Sequence, residues 1–219
     1  MSSGLPIRFV QHDGISGGVL TIGHSTHALE AFVALLQRHD VTAVADVRSA
    51  PYSRFNPQFN REPLAEALDS EAIRYVFLGN ALGGRSDDPA CYEDGRILYD
   101  RVAATMSFRS GLARVVQGTA KYRIALMCAE KEPLHCHRTL LVARALDEQG
   151  VDVAHIHADG ALETHRAAMD RLLDIHRLSR EGDLSGTREE LIDTAIAQQA
   201  RRVAHTDDKL APRPPEHRS

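Results

Sequence analysis

The chain has no apolar run long enough to cross a bilayer. No stretch of its 219 residues approaches the ~18 consecutive apolar residues that a spanning helix needs, and the amino-terminal MSSGLPIRFVQHDG lacks the apolar core of a secretory signal. A cytoplasmic protein without a membrane partner is the expectation. Excess positive charge is also missing. The net charge of −4 and pI near 6.3 provide no general attraction for nucleic acid, which is disfavoured as a partner unless a local basic patch meets it. Cysteine is scarce: three residues, an odd number, exclude a disulfide scaffold and point to free thiols or ligands. A Cys-x-x-Cys pair, a His-Glu-x-x-His helix and a glycine-rich phosphate loop with lysine are absent, as is any internal repeat.

Five short apolar runs are present. Val19–Ile22, Val41–Val47, Ile73–Leu78, Ile124–Met127 and Val151–His157 read as buried strands, and amphipathic segments lie between them. Leu29 to Leu36, Leu64 to Leu68, Leu98 to Val116 (one helix, or two broken near Gly111) and Leu140 to Leu146 (ending at Gly150) have helical spacing. A further helix is expected to run from Leu162 to Ile175, and Thr187 with Glu190 forms a capping box for another. The alternation predicts an α/β fold: a three-layer sandwich with a mainly parallel sheet of about five strands and helices on both faces. The expected division is a flexible lead-in over 1–17, one α/β domain over 18–178, a helical extension over 179–204 and a disordered tail over 205–219.

The chemistry concentrates in Tyr122 to Arg144, YRIALMCAEKEPLHCHRTLLVAR, which runs from a buried strand through a polar loop into a helix start. Ligands bind at that end of parallel sheets. Cys136, at the helix start beside His135, His137 and Arg138, is placed for a stabilised thiolate; His137 could move a proton, and Glu130 could act beside Cys128. A lone buried cysteine such as Cys128 is more often a small hydrophobe. Cys128, Cys136 and His137, with His24 or His155 as a fourth donor, could instead hold zinc or iron, although the seven residues between the thiols match no tight knuckle spacing. Arg48, Arg54, Arg85 and Arg138 all fall in loops after strands or at a helix start, the same end of a parallel sheet, which suits an anion; Asp46 could orient Arg48 or act as a base. The long loop YSRFNPQFNRE is a candidate binding loop.

The pieces TIGHS (Thr21–Ser25), DVRSAPYSRFNPQFN (Asp46–Asn60), YVFLGNALGGR (Tyr75–Arg85) and CAEKEPLHCHR (Cys128–Arg138) resemble the domain-of-unknown-function family numbered 488. The resemblance implies an α/β sandwich and no particular activity. It carries over a polar set of His24, Ser25, Asp46, Arg48, Arg54, Arg85, Cys128, Glu130, Cys136, His137 and Arg138. The reading is an enzyme, thiol-dependent, transferase or hydrolase, acting on an anionic phosphate- or nucleotide-like substrate. Cys136, His137, Cys128, Glu130 and Asp46 form its catalytic set, and His24, Ser25, Arg48, Arg54, Arg85 and Arg138 hold the substrate. The alternative is a metal-holding or nucleic-acid-binding module without turnover.

Overall fold

Strand β1 (Val19–Gly23) is buried along its whole length, so its residues alternate between two covered faces. A computed structural model of the chain describes residues 18–207 and Leu210. The lead-in and most of the tail lie outside them.

The chain continues through α1 (Leu29–Arg38), β2 (Ala43–Asp46), α2 (Arg61–Ser70), β3 (Arg74–Phe77) and α3 (Gly79–Leu82). A hairpin of β4 (Tyr92–Glu93) and β5 (Arg96–Ile97) follows, then α4 (Tyr99–Ala103) and α5 (Met106–Gly118). β6 (Ile124–Cys128) leads through a 3₁₀ turn to a π-helical stretch, Arg138–Ala143, that runs into α6 (Arg144–Asp147). β7 (Val153–Ile156), β8 (Leu162–Thr164), α7 (His165–Ile175) and α8 (Arg188–Val203) complete the described chain.

Among the described residues the main sheet has six strands in the order β3-β2-β6-β1-β7-β8, all parallel except β8, which runs antiparallel to β7. The five expected strands are there, β1 and β6 one residue longer than expected and β2, β3 and β7 shorter. The sixth occupies Leu162–Thr164, where a helix was expected: the turn at Asp159–Gly160 folds the chain back on β7, and Thr164 then caps α7 by accepting from Ala167 N–H. The break in the Leu98–Val116 pattern falls at Ala104–Thr105 rather than near Gly111, because the Thr105 hydroxyl caps α5 through Phe108 N–H. The segment after Cys136 opens as a π-helix, a wider coil that tends to occur at functional sites.

Leu20, Ile22, Val44, Ala125, Met127, Ala154 and Ile156 pack on α1 and α2, through Phe32, Leu36, Leu64 and Leu68. The alternate positions, Val19, Ala45, Ile124, Leu126 and Val153, face the other layer, to which α8 contributes Leu191, Ile192 and Ala195. The chain moves outward from β1 to β2 and β3 with helices on the first face, and returns to β6 and β7 with helices on the second, as right-handed crossovers require. β6 is therefore flanked by β1 and β2, whose connections leave on the opposite face from its own. That switch opens a crevice at the carboxyl ends.

One buried polar group lies inside the second layer. Thr21 Oγ1 is 2.8 Å from His155 Nδ1, and His155 Nε2 is 3.1 Å from His165 Nδ1; both imidazoles are buried. Burial, then the neighbouring histidine and Arg138, Arg171 and His157, hold His155 well below its usual value. Burial also pushes His165 down to about 4, against the opposing pull of Asp147 and Glu163 and with the help of Arg144. Both are neutral when folded and take protons more readily when unfolded. Stability is therefore complete above pH 6.5 and falls on acidification towards pH 4, at about 1.4 kcal/mol per pH unit for each histidine. Urea unfolding at pH 7 and pH 5.5 should differ accordingly, and His165→Leu should flatten the profile; an unchanged slope in that variant would exclude the pair as its cause.

Candidate active site

Gly23, Asp46 and Cys128 end three adjacent strands, so their following loops meet at one rim. A cleft of about 320 Å³ opens there, lined among others by Arg48, Arg85, Cys128, Glu130, Cys136 and His137. Gly23 is required at the floor, since a Cβ there would stand 2.0 Å from the Glu130 carbonyl oxygen.

His137 organises the sulfur side. Its Nε2 lies 2.9 Å from the Val47 carbonyl, which can only accept, so Nε2 carries a proton and Nδ1 points away from the backbone. Nδ1 stands 3.8 Å from Cys128 Sγ and 3.9 Å from Cys136 Sγ. Among the described residues, these three form the one group of three or more whose potential metal-ligand atoms all lie within 4.8 Å of one another, and all three are buried. His24 and His155 do not join them: the first accepts from Arg48, and the second bonds Thr21 and His165.

Cys136 Sγ is 2.9 Å from Glu130 Oε2, so one proton is shared between sulfur and carboxylate. Burial pushes the Cys136 thiol up, but a hydrogen bond from Cys128 and the charges of Arg138 and His137 outweigh it and hold the thiol well below its ordinary value. Withdrawal from water and the Cys136 charge push the Glu130 carboxyl up. Both shifts move the shared proton towards Glu130. Burial and the bond to Cys136 raise Cys128. Burial lowers His137, but the Cys136 charge reverses this and leaves the imidazole raised. The Arg138 backbone N–H also donates to Cys136 Sγ at 3.4 Å.

On the opposite wall Arg48 is 5% exposed and built in. Asp46 accepts from Arg48 N, Nε and Nη2 at 3.0, 2.9 and 2.6 Å, and from Tyr75 Oη at 2.7 Å. Nη2 also donates to the Phe59 carbonyl, and Nη1 donates to His24 Nε2 at 3.2 Å. Four of the five guanidinium N–H groups are thereby occupied, and one remains for the cleft. His24 must be neutral to accept; its Nδ1 bonds Ser25 O, its ring stacks on Phe59, and burial with the Arg48 charge holds it at about 4. Asp46 is fully engaged in positioning Arg48, which leaves it no lone pair aimed at a substrate.

The expected site residues thus separate. Cys128, Glu130, Cys136, His137, Arg48 and Arg85 share the cleft. Asp46 and His24 lie behind Arg48, and Ser25, at φ 48°, turns the chain through its N–H to Ala129 O. Arg138 is fully buried and clamps the Glu130 and Lys131 carbonyls at 2.6 and 3.3 Å, so it shapes the loop rather than meeting a ligand. Arg54 stands on the exposed part of the long loop over Phe55. Tyr99, Val203 and His205 also line the cleft. No spacing pattern singled these out, since they reach the rim from α4, from the last residue of α8 and from the chain just after it.

No helix among the described residues is long and apolar enough to cross a membrane. Compared with curated proteins and with solved structures, the chain matches none. A family model does match, over residues 28–145, more than half of the chain; the matched stretch contains both walls of the cleft, from Arg48 to His137. It is the model described as Domain of unknown function DUF488, and the chain belongs to that family.

Proposed function

We propose that the protein is an enzyme that transfers or hydrolyses a group on a small anionic substrate, phosphate- or carboxylate-bearing, at the Cys128–Glu130–Cys136–His137 centre. One observation carries this reading. The Arg85 guanidinium, which has no protein partner among the described residues, and the remaining N–H of Arg48 line the same cleft as the cluster that shares a proton between sulfur and carboxylate. Arg48 is pre-organised by Asp46 and loses no freedom on binding; Arg85, exposed, adds charge and recognition. Glu130 carries the proton, and His137, pinned by Val47, keeps Nδ1 aimed at the sulfurs.

Titration of the full chain with inorganic phosphate by calorimetry should show binding that Arg85→Ala weakens about tenfold, the loss of one charge-assisted hydrogen bond worth about 1.4 kcal/mol. Equal affinity in the two proteins would remove the anion from the proposal. A screen of phosphate- and carboxylate-bearing compounds then tests turnover, and binding without any product would favour a module that only holds its ligand.

A further inference from the structure

The cluster has a feature that proton sharing does not explain. Both sulfurs stand at nearly the same distance from one imidazole nitrogen, 3.8 and 3.9 Å, and neither is near enough for a good thiol–imidazole hydrogen bond. That is an arrangement of donors around a common centre rather than a relay. A tetrahedral ion with Zn–S of about 2.3 Å and Zn–N of about 2.0–2.1 Å has S···N edges of about 3.6 Å, a few tenths of an ångström shorter than those here. The ring is oriented as a ligand would be, with its far N–H held by a backbone carbonyl and its near lone pair directed at the sulfurs. Gly84 lies against the ring: a Cβ there would meet Cγ at 2.8 Å and Nδ1 at 2.9 Å, so the absence of a side chain leaves the imidazole its place.

We infer that Cys128, Cys136 and His137 hold one divalent zinc ion whose fourth position opens into the cleft. The inference rests on the proposed reading of that cleft as an active site and gives it a chemical agent. Two thiolates and an imidazole select zinc over the oxygen-seeking cations, and the two thiolate charges balance the ion. Three protein donors with an open position are the pattern of a catalytic rather than a structural zinc. Glu130 stands outside the set of three but within reach of Cys136, at the cleft. Zinc binding would fix Cys136 as thiolate and release the proton it shares with Glu130; Glu130, then a carboxylate, would take one proton from a water at the open position and leave hydroxide on the metal, with the substrate anion held by Arg85 and Arg48.

The test uses the full chain. Metal-free protein is titrated with zinc chloride against a chromophoric chelator, zinc per chain is measured after dialysis, and the three cysteines are mapped by iodoacetamide labelling with and without zinc. The expected result is about one zinc per chain, held at least tenfold more weakly by Cys136→Ser. Zinc should protect Cys128 and Cys136, and Cys91→Ser, which lies outside the cluster, should bind zinc as the natural chain does. Should Cys136→Ser fail to fold, the labelling pattern of the natural chain still decides. No zinc uptake, equal affinity in Cys136→Ser, or equal labelling of both thiols with and without zinc would overturn the metal site. Phosphate binding that still depends on Arg85 would in that case leave the anion cleft standing, whereas zinc binding with no Arg85 effect would keep the metal and remove the anion.

Discussion

Asp46→Ala is expected to destabilise the protein by about 3–5 kcal/mol, because it strips the paired charge from a guanidinium that is only 5% exposed and keeps a single N–H for the cleft. Three of the four groups bonded to Asp46 belong to Arg48, and the fourth is the Tyr75 hydroxyl, so one truncation leaves both partners under-satisfied. The loss is much larger than the ~0–1 kcal/mol expected for a surface pair such as Arg101–Glu93. Urea denaturation of Asp46→Ala and Glu93→Ala side by side gives the comparison. If Asp46→Ala lost no more than Glu93→Ala, Arg48 would not be held as described, and the rigid wall of the cleft would be wrong.

Gly84→Ala should act on the site through the His137 ring. Gly84 does not occupy the left-handed region, so alanine fits the backbone and could even stabilise by about 0.4–1 kcal/mol through the unfolded chain. Its methyl group, however, would press into the His137 ring, whose Cγ and Nδ1 lie 2.8 and 2.9 Å from the built Cβ. The ring must then give up its bond to Val47 or swing Nδ1 off the sulfurs. Zinc affinity should fall about 10–100-fold, the size of effect seen when a ligand's supporting contact is lost, and the metal-free chain should lose about 1–3 kcal/mol of stability with the buried hydrogen bond. A variant with native zinc affinity would mean that the ring is not confined by this glycine.

Much of the fold was legible because burial on two faces leaves continuous apolar runs: Ile124 to Met127 could hardly be anything but an interior strand. β8 was not, since Leu162–Glu163–Thr164 offers one apolar residue in three and its pairing depends on a turn and on β7. The π-helix was hidden as well: Leu140, Leu141 and Leu146 fit ordinary helical spacing, which does not distinguish the wider coil. At the site the residue types were readable, and so was one of the two roles offered for Asp46, orienting Arg48; the burial of the group was not. Asp46, Arg48 and Arg138 read in sequence as loop charges turned to an anion or a substrate, yet all three are buried. Their partners are a neighbour two residues away, a tyrosine one strand over and the carbonyls of a loop, none of which has a sequence period.

Chemistry at one rim of the sheet stands or falls on what the two thiols and His137 surround. The X-ray absorption fine structure of the zinc-loaded full chain measures this directly. The account predicts two sulfur scatterers at about 2.3 Å, one imidazole nitrogen at about 2.0–2.1 Å and one further light atom from the cleft. A shell made only of oxygen and nitrogen, or one with a single sulfur, would contradict it.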